Sequence, residues 1–418
     1  MKTVFTALAL TLVITSPAAA QSGEAVAAAA LEAAPVWDGH NDVPMQLRER
    51  YRNMLSEFDF EDTTGTGPDH VNGQAMHTDL ARLKTGAVGA QFWSVYVSAD
   101  LDEPEAVVAT IEQIDVTRRL IAQYPGRLAL ALDSTDVERA LAEGEIASLI
   151  GMEGGHSIGS SLAVLRQMYA IGARYMTLTH SKNTPWADSA TDKPEHDGLT
   201  DFGKDLVREM NRLGMLVDLS HVSEKTMLDA LDAGSAPVIF SHSGARAVNG
   251  HARNVPDSVL ARLPANGGIV MVVGYPGFLS EAARQWYAGH QAENARLEAL
   301  WQGQPRAVET ALAAWTQANP EPGANISDMA DHIDHIRSVA GIANIGIGGD
   351  YDGIPTVPVG MEDVAGYPAL FTQLAKRGYT QAELEMISSR NMMRVLKAAE
   401  AVAASQSGQA PIETPVPD

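Results

Sequence analysis

The chain has 418 residues, 45% of them hydrophobic and 20% charged, which is a composition typical of a globular protein. Its 52 acidic and 30 basic residues give a formal net charge of −22, so a nucleic-acid partner, which requires a basic surface, is not expected. The chain contains no cysteine, which excludes disulfides, thiolate metal ligands and cysteine nucleophiles. Any bound metal would therefore be held by His, Asp or Glu.

The N-terminus has the pattern of a secretory signal peptide over residues 1–20. Lys2 precedes an apolar stretch that ends at about Ile14, and an Ala-rich A-x-A cleavage site follows at Ala20. The apolar stretch is shorter than the roughly 20 residues that a membrane-spanning helix requires. We expect a mature protein without a membrane anchor, located in the periplasm or secreted.

Eight short apolar runs follow, most of them separated by segments with a helical pattern, and each is predicted to be a strand. Helical patterns cover residues 104–123, 161–171, 201–213, 223–233 and 328–339. Alternating strands and helices are typical of a parallel sheet, and eight such units predict a single-domain (β/α)8 TIM barrel over residues 21–403. The predicted strands are VWDGH (36–40), GAQFWSVYV (89–97), SLIGME (148–153), RYMTLTH (174–180), MLVDLSH (215–221), PVIFSH (237–242), GIVMVV (268–273) and NIGIGGD (344–350).

Three further segments complete the chain. The apolar run RLALALD (127–133) exceeds the count of eight and is predicted to lie outside the barrel; a doubly wound sheet is the alternative that it leaves open. The segment 280–325 is predicted to be a helical insertion after the seventh strand. A capping box beginning at Thr380 starts a last helix to about Ala403, and the Pro-rich segment 404–418 is predicted to be a disordered tail.

Histidines and carboxylates occur at the ends of most of these strands. In a barrel, the carboxyl ends of all strands meet at one rim, where catalytic groups lie. Packing alone does not explain four histidines and three carboxylates at such positions, because buried charges require a partner or a metal. The candidate residues are His40, Asp42, Glu153, His180, His221, His242 and Asp350.

Imidazole and carboxylate ligands together favour zinc, because calcium prefers ligand sets made only of oxygen. His40 and Asp42 can hold one ion, and His221 and His242 a second. Glu153 is the natural bridge because a carboxylate has two oxygens. Two Zn²⁺ ions per subunit, bridged by Glu153 and a hydroxide or water, would both activate the nucleophile and polarise a carbonyl.

The runs DGHND, GMEGG, LTHSKNTPWAD, VDLSHVS, PVIFSHS, RNVPD and GIGGDYDG occur in this order. In the sequence and order of these seven runs, the chain closely resembles the membrane (renal) dipeptidase family of zinc peptidases. This family belongs to the amidohydrolase superfamily, and the resemblance covers roughly residues 35–400. The resemblance implies the ligand sets given above. It further implies that His180 binds the substrate and stabilises the oxyanion, that Asp350 is the general base and acid, and that Arg253 binds the terminal carboxylate.

The chain departs from the mammalian members of the family. It lacks their cysteines and their apolar C-terminal tail, so disulfide pairing and lipid attachment do not carry over. The insertion after the seventh strand is longer, and Phe278 stands in the loop there. The insertion and Phe278 therefore leave the wall that shapes side-chain preference open, whereas the metal and acid–base residues are all present.

Two other classes of protein have to be weighed. The run Gly155 to Gly159 is G-x-S-x-G, which would make Ser157 the nucleophile of a serine hydrolase. The order of the chain argues against it, because no histidine lies beyond His335 to follow the acid of a triad. A non-catalytic zinc-binding protein could use the same ligands, but it would need neither Asp350 nor Arg253.

The predicted function is therefore binuclear zinc dipeptidase activity on L,L and L,D dipeptides. A metal-dependent amidohydrolase that acts on N-acyl amino acids is the closest alternative, because it would use the same groups. The expected partner is a small dipeptide, and a homodimer is the candidate assembly.

Overall fold

The computed structural model describes residues 22–70 and 73–414, which contain nine β-strands. The predicted signal peptide lies outside these residues. The nine strands are β1 (Val36–Asn41), β2 (Val88–Tyr96), β3 (Leu128–Leu130), β4 (Ile146–Glu153), β5 (Ala173–Thr177), β6 (Leu216–Asp218), β7 (Ile239–Ser243), β8 (Ile269–Val273) and β9 (Ile345–Gly348).

Eight of the strands form a closed parallel ring in the order β1-β2-β4-β5-β6-β7-β8-β9, with β9 pairing back to β1. The ring closes past β3 because β2 pairs directly with β4, through seven residue pairs from Ala90–Ala147 to Tyr96–Glu153. The strand β3 pairs only with β4 and lies outside the ring. The predicted (β/α)8 barrel is confirmed, as is the extra strand from the run 127–133, and the doubly wound sheet is wrong.

Helices follow most strands of the ring and cover its outside. The α-helices are α1 (Gly23–Ala33), α2 (Val43–Tyr51), α3 (Leu80–Thr85), α4 (Glu103–Gln123), α5 (Ser134–Glu143), α6 (Leu162–Ala170), α7 (Asp201–Leu213), α8 (Glu224–Ala233), α9 (Asp257–Leu260), α10 (Leu263–Asn266), α11 (Pro276–Leu279), α12 (Glu281–Leu300), α13 (Pro305–Ala318), α14 (Ile326–Ala340), α15 (Tyr367–Lys376), α16 (Gln381–Glu385) and α17 (Asn391–Ser405). Helices α12 and α13 occupy the segment predicted as an insertion. The predicted last helix is α16 and α17 joined by a π-helical turn, and it begins with the predicted capping box at Thr380.

Neighbouring apolar side chains on several strands fall into two different hydrophobic clusters, as the period of two predicts. Trp37 and Phe92 belong to one cluster, and their neighbours Val36 and Trp93 belong to the other. The rings of Phe92 and Tyr175 lie 5.0 Å apart between their centroids. Because β2 and β5 are not adjacent strands, this contact crosses the inside of the ring, which is therefore a packed core.

The C-terminal segment differs from the predicted disordered tail over 404–418. Helix α17 continues to Ser405, and Ile412 beyond it contacts α6 and α7. The Ile412 N–H donates to Glu209 Oε2 at 3.2 Å, and Arg166 donates to the Ile412 carbonyl at 3.2 Å. Glu209 is buried and accepts this backbone donor, a long-range contact that composition does not reveal. Residues 415–418 lie outside the described part.

Within residues 22–70 and 73–414, no helix has both the length and the apolar character that crossing a bilayer requires.

Candidate metal centre

All seven predicted rim residues lie at or just beyond the carboxyl ends of ring strands. His40, Glu153 and His242 are strand residues of β1, β4 and β7. The others follow a strand: Asp42 precedes α2 as its N-cap, and His180 and His221 lie three residues after β5 and β6. Parallel strands bring these positions to one end of the barrel, although they are far apart along the chain.

The two oxygens of Glu153 face different imidazoles. Its Oε2 lies 3.5 Å from His40 Nε2, whereas its Oε1 lies 3.0 Å from His221 Nε2 and 3.4 Å from His242 Nε2. The two latter Nε2 atoms are 3.0 Å apart. A carboxylate placed between two sets of nitrogen ligands has the geometry of a bridge.

Two further carboxylates lie near the Nε2 atom of His40. Asp42 Oδ2 lies 3.3 Å from it and Asp350 Oδ1 lies 4.0 Å from it. Asp350 has a positive φ of 62°, and His221 has one of 68°, so the backbone at both positions is in the left-handed region that non-glycine residues rarely adopt. Such strain is typical of functional sites, where the surrounding structure holds it in place.

Burial and charge change the pKa values at this centre. Burial lowers the pKa of His221 and of His242 well below the ordinary value, and it lowers the pKa of His180 to about 4. Burial raises the pKa of the Glu153 carboxyl, but the charge of His40 and the hydrogen bond from His221 outweigh it and hold the pKa well below the usual range. Burial lowers the pKa of His40 too, but the charges of Tyr175, Glu153 and Asp42 outweigh it and raise this pKa well above the ordinary value. The neutral imidazoles of His221 and His242 beside an ionised carboxylate are the forms that bind a divalent cation.

Buried polar atoms of the centre lack a hydrogen-bond partner among the described residues. His40 Nε2 and Asp42 Oδ1 are buried and make no hydrogen bond to any described residue. Leaving buried polar atoms unpaired is costly, and each such atom in a native fold requires an explanation. Both belong to a set of three side chains, completed by Asp350, whose ligand atoms all lie within 4.8 Å of one another. The donor set and its unpaired atoms fit a metal ion.

Two hydroxyl groups orient the histidines, and the sequence analysis did not single them out. The Tyr175 hydroxyl lies 2.9 Å from His40 Nδ1. The Ser241 hydroxyl donates its one proton to Asp218 Oδ2 at 2.6 Å, so its oxygen accepts a hydrogen bond from the Nδ1–H of His242, which lies 2.9 Å away. This arrangement leaves Nε2 of His242 deprotonated and directed at Glu153, as ligand histidines require. Serine and tyrosine are common in strands, so no local pattern in the sequence marked either residue.

Arg253 is a fully buried cation beside the centre. Its guanidinium donates to the Ser243 hydroxyl at 3.3 Å and to the His242 carbonyl at 3.2 Å, and it lies 5.1 Å from the centroid of the Phe278 ring. Its Nε–H has no partner among the described residues. Arg253 and Phe278 line a cavity of about 400 Å³ together with His180 and the metal-site carboxylates. This cavity has room for a small ligand.

The structure does not support Ser157 as a nucleophile. Ser157 lies in the short 3₁₀ helix Gly155–Ile158, and its hydroxyl is buried without a hydrogen-bond partner among the described residues. The Nε2 atom of the neighbouring His156 lies 3.1 Å from the carbonyl oxygen of Ser98. A serine nucleophile requires a base within hydrogen-bond distance, and none is present in the described part of the chain.

Comparison with known sequences gives one family over nearly the whole chain. The family described as membrane dipeptidase, peptidase family M19, matches residues 24–410. Dipeptidase 3 of Rattus norvegicus is 41% identical over 389 residues, which are 92% of this chain and 69% of the rat protein. An uncharacterized dipeptidase of Schizosaccharomyces pombe is 41% identical over 380 residues, which are 88% of this chain and 81% of the yeast protein.

Solved structures share the fold. The probable dipeptidase PvdM of Pseudomonas aeruginosa superposes with a TM-score of 0.76 at 22% identity and covers 91% of this chain and 99% of its own. A metallopeptidase of Rhodobacter sphaeroides, solved with a phosphinate mimic of L-Ala-D-Ala, gives a TM-score of 0.70 at 23% identity and covers 88% of this chain and 99% of its own. With a matched family, a shared barrel and a ligand set at its rim, the chain belongs to the membrane dipeptidase family of metallopeptidases, peptidase family M19.

Proposed function

We propose that this protein hydrolyses dipeptides with the help of two zinc ions. The observation that carries the proposal is the position of Glu153, whose Oε2 faces His40 and whose Oε1 faces His221 and His242. His40, Asp42 and Glu153 would hold one ion, and Glu153, His221 and His242 the other. The bound metals would supply Lewis acidity, which polarises the scissile carbonyl and lowers the pKa of the attacking water.

His180 is proposed to bind the substrate carbonyl and stabilise the oxyanion. Its Nε2 lies 3.9 Å from Glu153 Oε1, and its ring packs against the ring of Tyr96 with a centroid distance of 4.7 Å. The side chain is held beside the ligands without being hydrogen-bonded to them. An imidazole N–H aimed at the position where negative charge develops lowers the barrier for the attack.

Asp350 is proposed to move the proton of the reaction. Its carboxyl lies in the cavity wall beside Asp42 and His40. From this position it can take a proton from the attacking water and deliver it to the nitrogen of the leaving amine, which makes one group the general base and then the general acid.

Arg253 is proposed to bind the carboxylate of the C-terminal residue. A planar guanidinium matches a carboxylate, and its buried position strengthens the ion pair. The L-Ala-D-Ala mimic bound to the Rhodobacter sphaeroides metallopeptidase supports the extension to substrates with a D-residue at the C-terminal position. The signal-peptide pattern at residues 1–20 supports export to the periplasm or beyond, where cleavage near Ala20 would appear in the N-terminal sequence of the secreted protein.

The test is hydrolysis of L,L and L,D dipeptides and of their N-acetylated forms by protein of known metal content. We expect cleavage of the free dipeptides, two metal ions per chain, loss of activity on chelation and recovery with zinc. Cleavage of the N-acetylated compounds alone would transfer the proposal to an N-acyl amino acid hydrolase. Activity that resists complete metal removal would overturn the metal mechanism.

A further inference from the structure

One face of α2 forms part of the cavity wall. Asp42, Met45 and Glu49 all line the cavity, and their spacing of three and four residues places them along the same side of the helix. Asp42 is accounted for by the metal centre. Met45 and Glu49 belong to the same wall, but the reaction proposed above uses neither of them.

Glu49 is a carboxylate without a partner. Among the described residues it makes no ion pair and no hydrogen bond, and its side chain is exposed to the cavity and solvent. The adjacent Arg50 is committed elsewhere: its guanidinium donates to Gln46 and to the carbonyls of Thr66 and Gln74. Among the described residues that line the cavity, Glu49 is the one Asp, Glu, Lys or Arg without a proposed role. The others are the proposed metal ligands and, in addition, Asp350 and Arg253.

The two ends of the cavity differ in chemistry. Arg253 follows β7, and Tyr96 is the last residue of β2, which stands opposite β7 in the eight-stranded ring. If Arg253 binds the terminal carboxylate, the second residue of the dipeptide lies on the β7 side. The side chain of the first residue is then left with the β2 side, where Tyr96 lies and where α2, which carries Met45 and Glu49, contacts β2.

The length of this wall selects a long side chain. Glu49 lies seven residues after Asp42, or roughly 10 Å along the helix axis. Its side chain leans back toward the helix N-terminus, so its carboxylate lies nearer to the metal centre than its own Cα does. The remaining distance matches the extended stem of a lysine or arginine side chain, whereas the α-ammonium group of the substrate is bound directly to its Cα and remains close to the metal centre.

We propose that Met45, Glu49 and Tyr96 form the subsite for the side chain of the first residue and select lysine or arginine there. Met45 packs against the aliphatic stem, the Tyr96 ring attracts the cation through its face, and the Glu49 carboxylate pairs with the charged tip. The inference rests on the proposed dipeptidase function and adds to it a preference for basic N-terminal residues.

The test compares lysyl-alanine with norleucyl-alanine, because norleucine keeps most of the stem and lacks the charge. At low salt we expect the wild-type protein to cleave lysyl-alanine with a kcat/KM about three- to fivefold higher than that for norleucyl-alanine, which is the range of a partly exposed ion pair. The ratio should be smaller at high salt, because salt screens the ion pair. Glu49→Gln should bring the ratio close to one by lowering kcat/KM for lysyl-alanine. Glu49→Lys should invert the preference toward glutamyl-alanine.

The matched control is Glu57→Gln, which removes the same charge from an exposed position outside the cavity and should leave the ratio unchanged. Equal kcat/KM values for lysyl- and norleucyl-alanine in the wild-type protein would overturn the subsite while leaving the dipeptidase proposal intact. An unchanged ratio in Glu49→Gln would do the same. Failure to cleave any dipeptide would overturn both.

Discussion

Gly353 is a residue whose lack of a side chain is required by its neighbours. A Cβ placed there would lie 2.1 Å from Asp42 Oδ2 and 2.8 Å from Asp350 Oδ1, both of which are too close for any real contact. The backbone of the motif GGDYDG therefore approaches the two carboxylates directly. One of them would be displaced by the smallest possible side chain.

Gly353→Ala is expected to lower metal affinity and kcat/KM by about tenfold or more, because ligand positions tolerate displacements of only a fraction of an ångström. Metal titration and dipeptide hydrolysis would measure it. The matched control is Gly65→Ala, since a Cβ at Gly65 meets no atom within 4 Å and both properties should be retained. Wild-type metal affinity and activity in Gly353→Ala would contradict this account of the site.

Some residues of the site could be predicted from the sequence, and others could not. The candidate ligands could be proposed from the sequence because His, Asp and Glu are chemically distinctive at strand ends. The Ser241 hydroxyl and the Tyr175 hydroxyl that orient His242 and His40 could not, because serine and tyrosine are common in strands and acquire this role only through contacts across the ring.

Two segments without regular secondary structure are each held in place by one buried carboxylate, that of Asp188 or that of Glu209. Asp188 accepts three backbone N–H donors, from Glu195, His196 and Gly198, and so closes the loop that follows His180. Glu209 on α7 accepts from Arg166, Arg212 and the Ile412 N–H, and so fixes the C-terminal segment. In both segments the carboxylate accepts hydrogen bonds from backbone N–H groups that would otherwise lack a partner.

The Glu209 contact makes stability depend on pH. Burial raises the pKa of Glu209, but the hydrogen bonds from Arg212, Ile412 and Arg166 outweigh it, and the net shift is downward. A carboxyl with a lowered folded-state pKa stabilises the fold above its unfolded pKa of about 4.3. That contribution is lost as the pH falls through the folded-state value.

Glu209→Gln is therefore expected to cost about 2 kcal/mol of unfolding free energy at pH 7 and progressively less below pH 4. Urea unfolding of metal-free protein at several pH values would measure both quantities. Glu57→Gln, which changes an exposed glutamate without an ion pair among the described residues, is the control. A cost that is the same at pH 3 and pH 7 would show that the charge of Glu209 is not involved.

For the whole molecule, the proposed metals connect distant parts of the ring. The proposed ligand residues are carried by β1, β4 and β7 and by the segments that follow β1 and β6, so the two ions together would join strands as far apart in the ring as β1 and β6. A ligand that binds only the folded state stabilises it by mass action. Metal binding and global stability should therefore change together.

Chelation is expected to lower the melting temperature by at least about 3 °C, which corresponds to about 2.7 kcal/mol for free metal at 100 times its Kd in a chain of this size. Differential scanning calorimetry with and without chelator, combined with metal analysis, would measure it. Glu153→Gln, which weakens both ligand sets, should respond little to the chelator. An unchanged melting temperature after complete metal removal would contradict the prediction.

The order of apolar runs and helical patterns was sufficient to predict the barrel and all eight ring strands, because alternation along the chain is a local property. The motif residues likewise predicted the family that the comparisons confirmed. Tertiary structure alone decided how β2 pairs past β3 with β4, which oxygen of Glu153 faces which imidazole, and that the segment at Ile412 packs on α7. These features depend on contacts between residues far apart in sequence, and such contacts have no local pattern from which they could be predicted.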